Sequence, residues 1–386
     1  MSKAAVGAVK QGRDWDLFCR VVDNYGDIGV CWRLARQLVA EYGQHMRLWV
    51  DDLASFAHIC PALDPALDRQ TVAGVEIRHW SAEPAIDAIG DVVIEAFACE
   101  LPPAALTAMR ARAIAPAWIN LEYLSAESWV EGCHSLASPQ AGGLTKYFYF
   151  PGFSAKTGGV LAERSMREAR AAWSADDARR WLARLSPSLK ALPDNAIRIS
   201  LFAYENAAVA SLFDAWAASR APVICYLPEG RVLPQVSAWF GVTLTAGQTA
   251  TRGALTLQVL PFISQEEYDR LLWSCDVNFV RGEDSFVRAQ WAGKPLVWHI
   301  YRQEEDAHLA KLDAFLDRYL LGAADGHACR DLMHAWNREQ PVGDAWQAFA
   351  ADLPRWRHHA ETWADYLDSL GNLAGNLVSF VNSLLK

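Results

Sequence analysis

The chain has 386 residues, of which 52% are hydrophobic and 21% charged, and its formal net charge is −9. That length points to two domains, and that composition excludes a disordered chain. The acidic balance argues against a nucleic-acid partner, which requires a basic stripe. The eight cysteines are scattered with no C-x-x-C pair, so they read as buried free thiols of a reducing compartment, not as a disulfide framework or zinc site. Residues 1–13 hold no apolar signal core, and no window reaches ~18 uninterrupted apolar residues. A soluble, cytoplasmic protein with no membrane partner is expected.

In chain order, Asp16–Val22 reads as a largely buried strand and Cys31–Tyr42 as an amphipathic helix. Between them runs Asp23-Asn24-Tyr25-Gly26-Asp27-Ile28-Gly29-Val30. A strand, a tight loop and a helix open a Rossmann-like unit, but Asp23 and Asp27 stand where a dinucleotide fold keeps its glycines. Two carboxylates there repel a diphosphate, so the loop suits general-base or cation-orienting work. Strands at Met46–Val50, Val75–Arg78, Val92–Glu95 and Trp118–Asn120 alternate with helices such as Pro102–Arg112, which implies a parallel sheet. Asp51-Asp52, at the end of the second strand, suits a ribose or metal ligand but reads better as a solvated N-cap pair. The string Asn120-Leu121-Glu122-Tyr123 stays open between a structural and a cleft role. Ser138–Gly159, rich in Gly, Pro, Tyr and Phe, reads as a long ordered loop in a cleft, and Ala169–Leu185 as a polar helical linker.

A second alternating series follows Pro193-Asp194-Asn195. Its strands are Ile197–Phe202, Pro222–Tyr226, Leu255–Leu260, Val277–Val280 and Leu296–Ile300; its helices are Asn206–Ser219, Gln265–Cys275 and Phe286–Ala292. Tyr204-Glu205-Asn206 leaves the first of these strands, as either a helix start or a cleft loop. In Pro261-Phe262-Ile263-Ser264-Gln265, Phe262 suits stacking on a planar base and Gln265 suits hydrogen-bonding its edge or a sugar. A hydrophobic staple and a cap serve those positions equally. In Val280-Arg281-Gly282-Glu283-Asp284-Ser285-Phe286, Gly282 permits a sharp turn, and Asp284 or Ser285 suits an N-cap. The same helix end is a ready diphosphate site; the string alone leaves the two readings balanced. His299 reads as a core residue with a minor site candidacy. The P-loop, H-E-x-x-H and G-x-S-x-G patterns are absent. The tail from Leu353 is helical with apolar stripes.

These strings resemble the EarP family, protein-arginine rhamnosyltransferases acting on bacterial translation elongation factor P. The resemblance rests on D-N-Y-G-D-I-G-V at 23–30, L-W-V-D-D-L at 48–53, D-V-V-I-E-A-F-A-C at 91–99, N-L-E-Y-L-S-A-E at 120–127 and K-Y-F-Y-F-P-G-F at 146–153. It continues through P-F-I-S-Q at 261–265, D-V-N-F-V-R-G-E-D-S-F-V-R-A-Q-W-A-G-K-P at 276–295 and W-H-I-Y at 298–301. It implies an α/β protein of GT-B architecture, two facing Rossmann-like domains with a cleft between them. The first, at 14–185, takes the acceptor and is completed by C-terminal helices at 365–386; the second, at 190–364, binds the nucleotide sugar. The implied reaction is inverting transfer of L-rhamnose from dTDP-β-L-rhamnose to an arginine of elongation factor P, with no metal or other cofactor. By the resemblance Asp23, Asp27 and Glu283 are catalytic, with Asp27 the general base. Asp284 and Ser285 contact the diphosphate, Phe262 and Gln265 the base, and Tyr204 the donor. The alternatives are a GT-B enzyme with a small-molecule or lipid acceptor, and a nucleotide-binding regulator without catalysis.

Overall fold

The structure, a computed structural model, describes residues 12–385 except 23–24, 82–83, 85, 87, 188–192, 194 and 324–325. The first half comprises β1 (Asp14–Cys19), α1 (Gly26–Tyr42), β2 (His45–Val50), α2 (Leu53–Ile59), β3 (Arg69–Val72), β4 (Val75–His79), β5 (Val92–Ala96), α3 (Pro103–Ala111), β6 (Ala117–Leu121), α4 (Val130–Cys133), β7 (Ala137–Pro139) and β8 (Thr145–Tyr149). Two helices follow, α5 (Arg164–Ala172) and α6 (Ala175–Leu185). The described strands form one eight-stranded sheet ordered β3-β4-β2-β1-β5-β6-β8-β7. Its central strands pair in parallel, Leu17 lying between Leu48 and Ile94. Residues Trp15–Cys19 are all buried, as befits a parallel strand covered on both faces. The one acid in that run, Asp16, accepts hydrogen bonds from Arg47 at 2.7 and 2.6 Å, the Trp49 indole at 2.8 Å and Gly90 N–H at 2.6 Å.

The second half comprises β9 (Ile197–Leu201), α7 (Val209–Ala217), β10 (Val223–Pro228), α8 (Leu233–Phe240), β11 (Thr249–Arg252), β12 (Leu255–Leu260), α9 (Gln265–Ser274), β13 (Val277–Arg281), α10 (Asp284–Trp291) and β14 (Leu296–His299). Its sheet is ordered β11-β12-β10-β9-β13-β14. The chain ends in α11 (Ala307–Tyr319), α12 (His327–Asn337), α13 (Gly343–Ala350), α14 (Leu353–Ser369) and α15 (Leu373–Leu384). Large aromatics fill the interior: Trp216, Trp336 and Trp356 in the second half, Trp15 and Trp49 in the first. All eight cysteines are free thiols, seven of them buried. The last helix returns to the first half, where Leu373, Leu377 and Val381 join the core of β1, β2 and α1.

Several boundaries differ from those read in the sequence. Helix α1 begins at Gly26, so Asp27 lies in its first turn and not in a loop. Strand β1 stops at Cys19, and Arg20–Val22 continue outside the sheet. The segment read as a cleft loop contains β8, paired in parallel with β6, and β7, paired antiparallel with β8. Aromatic crowding hid the alternation there. The expected linker is two helices, broken where Ser174 and Asp177 form a capping box.

Leu377 is fully buried in the first-half core, so Leu377→Ala should cost about 2–5 kcal/mol. Urea unfolding of the variant against the parent measures this. A cost near zero would mean that the last helix is not part of that core.

Candidate active site

In an open parallel sheet, ligands meet the carboxyl ends of the strands where the strand order reverses. Those positions are β1 and β5 in the first sheet, β9 and β13 in the second. The residues singled out in the sequence leave these edges and their neighbours, facing one another across the cleft.

On the first side, Asp27 is 4% exposed. One carboxylate oxygen accepts from Val22 N–H at 3.0 Å and the other from the Tyr123 hydroxyl at 3.2 Å. Tyr123, from the string left open above, is thereby placed at the site. Burial, with the charge of Asp27 adding to it, raises its phenol well above the usual range and keeps it a donor. Its ring stacks on Phe97 at 4.5 Å. Phe97, Ala98 and Glu100 follow β5 with φ of 55°, 53° and 55°. Left-handed backbone at non-glycine residues costs of order 1 kcal/mol each and collects at functional sites. Asp23 lies outside the described residues.

On the second side, β13 turns into α10 through Gly282, whose φ is 60°. The N-cap is Glu283, and it makes no side-chain capping bond. Neither Asp284 nor Ser285 caps the helix. The Ser285 hydroxyl turns back, donating to the Arg281 carbonyl and accepting from Arg281 N–H at 3.1 Å. Asp284 pairs with Arg33 of α1 at 2.9 Å. The Gln265 amide donates to Asp284 at 3.4 Å and to the Gly29 carbonyl at 3.3 Å, so it bridges the two halves. Helix α9 is capped instead by Ser264 and Glu267. Glu283 itself reaches across, accepting from Leu124 N–H at 2.9 Å. Burial pushes its carboxyl up to about 8; the charges of Asp27 and Asp284 add to this, and the Leu124 N–H and Lys311 oppose it.

Phe262 is 46% exposed and meets Tyr25 edge-on at 5.5 Å. It is no staple; its neighbour Ile263 packs inward with Tyr268. Tyr204 lies against His299 and Tyr301, and the Arg281 guanidinium sits over the rings of Phe202 and Tyr204 at 4.4 and 4.7 Å. His299 is buried, and burial lowers its pKa to about 3, the state of a core residue. Asp51 and Asp52 are engaged locally, accepting from Val21 N–H and Ser55 N–H at 2.9 Å each.

These side chains line two adjoining cavities. One, of about 440 Å³, is bordered by Tyr25, Tyr204, Phe262, Gln265, Arg281 and Ser285. The other, of about 240 Å³, is bordered by Asp27, Phe97, Tyr123, Trp298, Tyr301 and Lys311. Gly26, Gly282 and Glu283 line both, so Glu283 stands at the junction. The first has a planar aromatic rim, a guanidinium and a helix N-terminus, which suit a nucleotide bearing phosphates. The second sets two acids among aromatic rings, which suits a cation. Sequence reasoning did not single out Arg33, Arg281 or Phe97. Arg281 and Phe97 lay inside quoted strings, but nothing in a linear pattern announces ring stacking between distant strand ends.

A carboxyl whose folded pKa lies above its unfolded value contributes stability that is complete below the unfolded value and lost as pH rises through the folded one. For Glu283 that window runs from 4.5 to about 8. The parent should therefore lose thermal stability relative to Glu283→Gln between these pH values and remain parallel to it above. A flat difference in melting temperature across that range would contradict the buried environment described for Glu283.

The family model for elongation factor P (EF-P) rhamnosyltransferase EarP matches residues 15–382. The protein-arginine rhamnosyltransferase of Pseudomonas putida is 52% identical over 376 residues, covering 96% of this chain and 99% of that protein. A solved structure describing EarP-mediated arginine glycosylation of translation elongation factor EF-P superposes with a TM-score of 0.69 at 38% identity, over 96% of this chain and 99% of that one. Sucrose-phosphate synthase from Thermosynechococcus elongatus, 12% identical with a TM-score of 0.52 over 97% of this chain and 99% of that one, shares the fold alone. The fold is GT-B, and the chain belongs to the EarP family of protein-arginine rhamnosyltransferases.

Proposed function

We propose that this enzyme transfers L-rhamnose from dTDP-β-L-rhamnose to an arginine side chain of translation elongation factor P, with inversion and without a metal ion. The observation that carries the proposal is the pair of cavities meeting at Glu283. Thymine lies against Phe262, with the sugar near Tyr204. The diphosphate lies at the N-terminus of α10, beside Ser285 and the Arg281 guanidinium, where helix-end N–H groups and positive charge take the place of a cation. The acceptor arginine enters the smaller cavity between the Phe97–Tyr123 stack and Tyr301.

A guanidinium has a pKa above ~12, so no aspartate deprotonates it in advance. The site offers concerted chemistry instead. Charge-assisted hydrogen bonds from the guanidinium to Asp27 and Glu283 orient one nitrogen at the anomeric carbon and weaken its delocalisation. As the N–C bond forms, the C–O bond to dTDP breaks, dTDP leaves with the electron pair, and the proton passes to Asp27. Attack opposite the leaving group inverts the anomeric centre. The end of α10 stabilises the charge on the departing diphosphate. Glu283 stands where it can meet both the acceptor and the positive charge that develops on the sugar.

Incubating the protein with dTDP-rhamnose and purified elongation factor P in excess EDTA should add one deoxyhexose mass to the factor. Asp27→Asn should abolish the mass shift while calorimetry finds dTDP-rhamnose binding nearly intact. No shift on elongation factor P would overturn the acceptor assignment. Rescue by magnesium of a reaction stopped by EDTA would overturn the metal-free account. A ten-fold loss of donor affinity in the variant would remove Asp27 from the acceptor side.

Phe262→Ala gives an independent check. Base stacking contributes roughly 1 kcal/mol beyond buried area, so donor KM should rise about ten-fold or more while kcat at saturation changes much less. Because Phe262 is half exposed, its melting temperature should hardly move. A lower melting temperature with unchanged donor KM would return Phe262 to a packing role.

A further inference from the structure

Asp284 sits at the helix end where the proposed reading seats a diphosphate, and an unbalanced carboxylate there would repel it. The balancing charge comes from the opposite half of the molecule. Arg33 of α1 is 1% exposed, and its Nε lies 2.9 Å from Asp284. The same guanidinium reaches Asp269 at 3.3 Å and Glu163 at 3.5 Å. Arg288 pairs with Asp269 at 2.7 Å and also with Glu163, but among the described residues the ion pair to Asp284 is made by Arg33. Close approach of the two halves is built in. A Cβ on Gly29, one turn before Arg33, would lie only 3.2 Å from Gln265 Nε2 and 3.6 Å from Asp284.

We propose that Arg33 is a positioning residue of the donor site, supplied by the acceptor-side helix. It neutralises Asp284 so that a nucleoside diphosphate can lie against α10. Asp27 lies in the first turn of α1 and Glu283 at the N-cap position of α10, so the same ion pair also sets the spacing of the two acids. The donor site is then complete only when the halves are docked. This inference rests on the transferase reading, and its test is read on binding as well as on turnover.

Full-length Arg33→Met and Arg33→Lys are titrated with dTDP and with thymidine by calorimetry, and assayed for transfer. Arg33→Met should weaken dTDP about ten-fold or more while thymidine, which carries no charge to be repelled, changes less than about two-fold. Arg33→Lys should fall between, keeping the charge but losing the fork that reaches several acids at once. Saturating kcat should fall in the same order. Adding Asp284→Asn to Arg33→Met should recover dTDP affinity, because the repelling charge goes too. Glu266→Gln, which breaks the exposed Arg36–Glu266 pair at the same seam, should leave both titrations unchanged. Equal loss of dTDP and thymidine, an unaltered dTDP affinity, failure of the double variant to recover, or the same loss in Glu266→Gln would each overturn the proposal. A parent protein that binds dTDP yet leaves elongation factor P unmodified would sink the functional reading alone.

Discussion

Five charges at the seam between the halves, three of them buried and Glu163 and Asp284 half-buried, hold the rest of the molecule in register. Arg33 and Arg288 face Glu163, Asp269 and Asp284, drawn from α1, the N-cap of α5, α9 and α10. Buried ions carry a large desolvation cost that only dense pairing offsets. Here each arginine forks between two or more carboxylates, and the opposed fields show in their ionisation. Burial raises Glu163 but the two guanidiniums outweigh it, bringing its pKa to about 2. For Asp284 burial wins, and its pKa stays above the ordinary value despite Arg33. A cluster of this kind is poor glue compared with apolar packing, but it tolerates only one relative placement of its four elements. Two of those elements carry Asp27 in the first turn and Glu283 at the N-cap position.

That placement explains why the acids differ. Asp27 takes hydrogen bonds from a backbone N–H and a tyrosine hydroxyl at the start of a helix, near the positive end of its dipole. Glu283 has one backbone donor and two acidic neighbours. Burial and those neighbours raise the Glu283 carboxyl.

Much of this was legible from residue order. The strand–helix alternation follows from apolar runs of five or six residues, and β12 was read at its observed bounds because Leu255, Leu257, Val259 and Leu260 keep an apolar face along it. Gly282 announced its turn. The misread places share a cause. Ser138–Gly159 mixes ring-bearing residues with glycines, so neither period stands out, and β8 is half-exposed over most of its length. The helix end at Gly26 lacks a capping side chain, and without that signal the start of α1 was set five residues late. Phe262 and Gln265 illustrate a further limit. Both were singled out by their loop, but whether a side chain faces solvent, a ligand or the other half of the molecule depends on how two sheets dock. Gln265 proved to span that seam.

The seam also bears on how a protein acceptor is discriminated. A lysine ammonium is a compact point charge, whereas a guanidinium is planar and can stack while donating in two directions. The smaller cavity is walled by the parallel Phe97 and Tyr123 rings and by Tyr301, with Asp27 and Glu283 on opposite halves. A planar cation against this aromatic wall can meet Asp27 and Glu283 at once, and an ammonium on a flexible stem gains less from the arrangement. The strained turn at Phe97–Glu100 fixes one ring of that wall, and Tyr123 ties the wall to Asp27 through its hydroxyl. Cavity shape and acid placement are therefore one structure: the residue that lines the cavity also holds the Asp27 carboxylate.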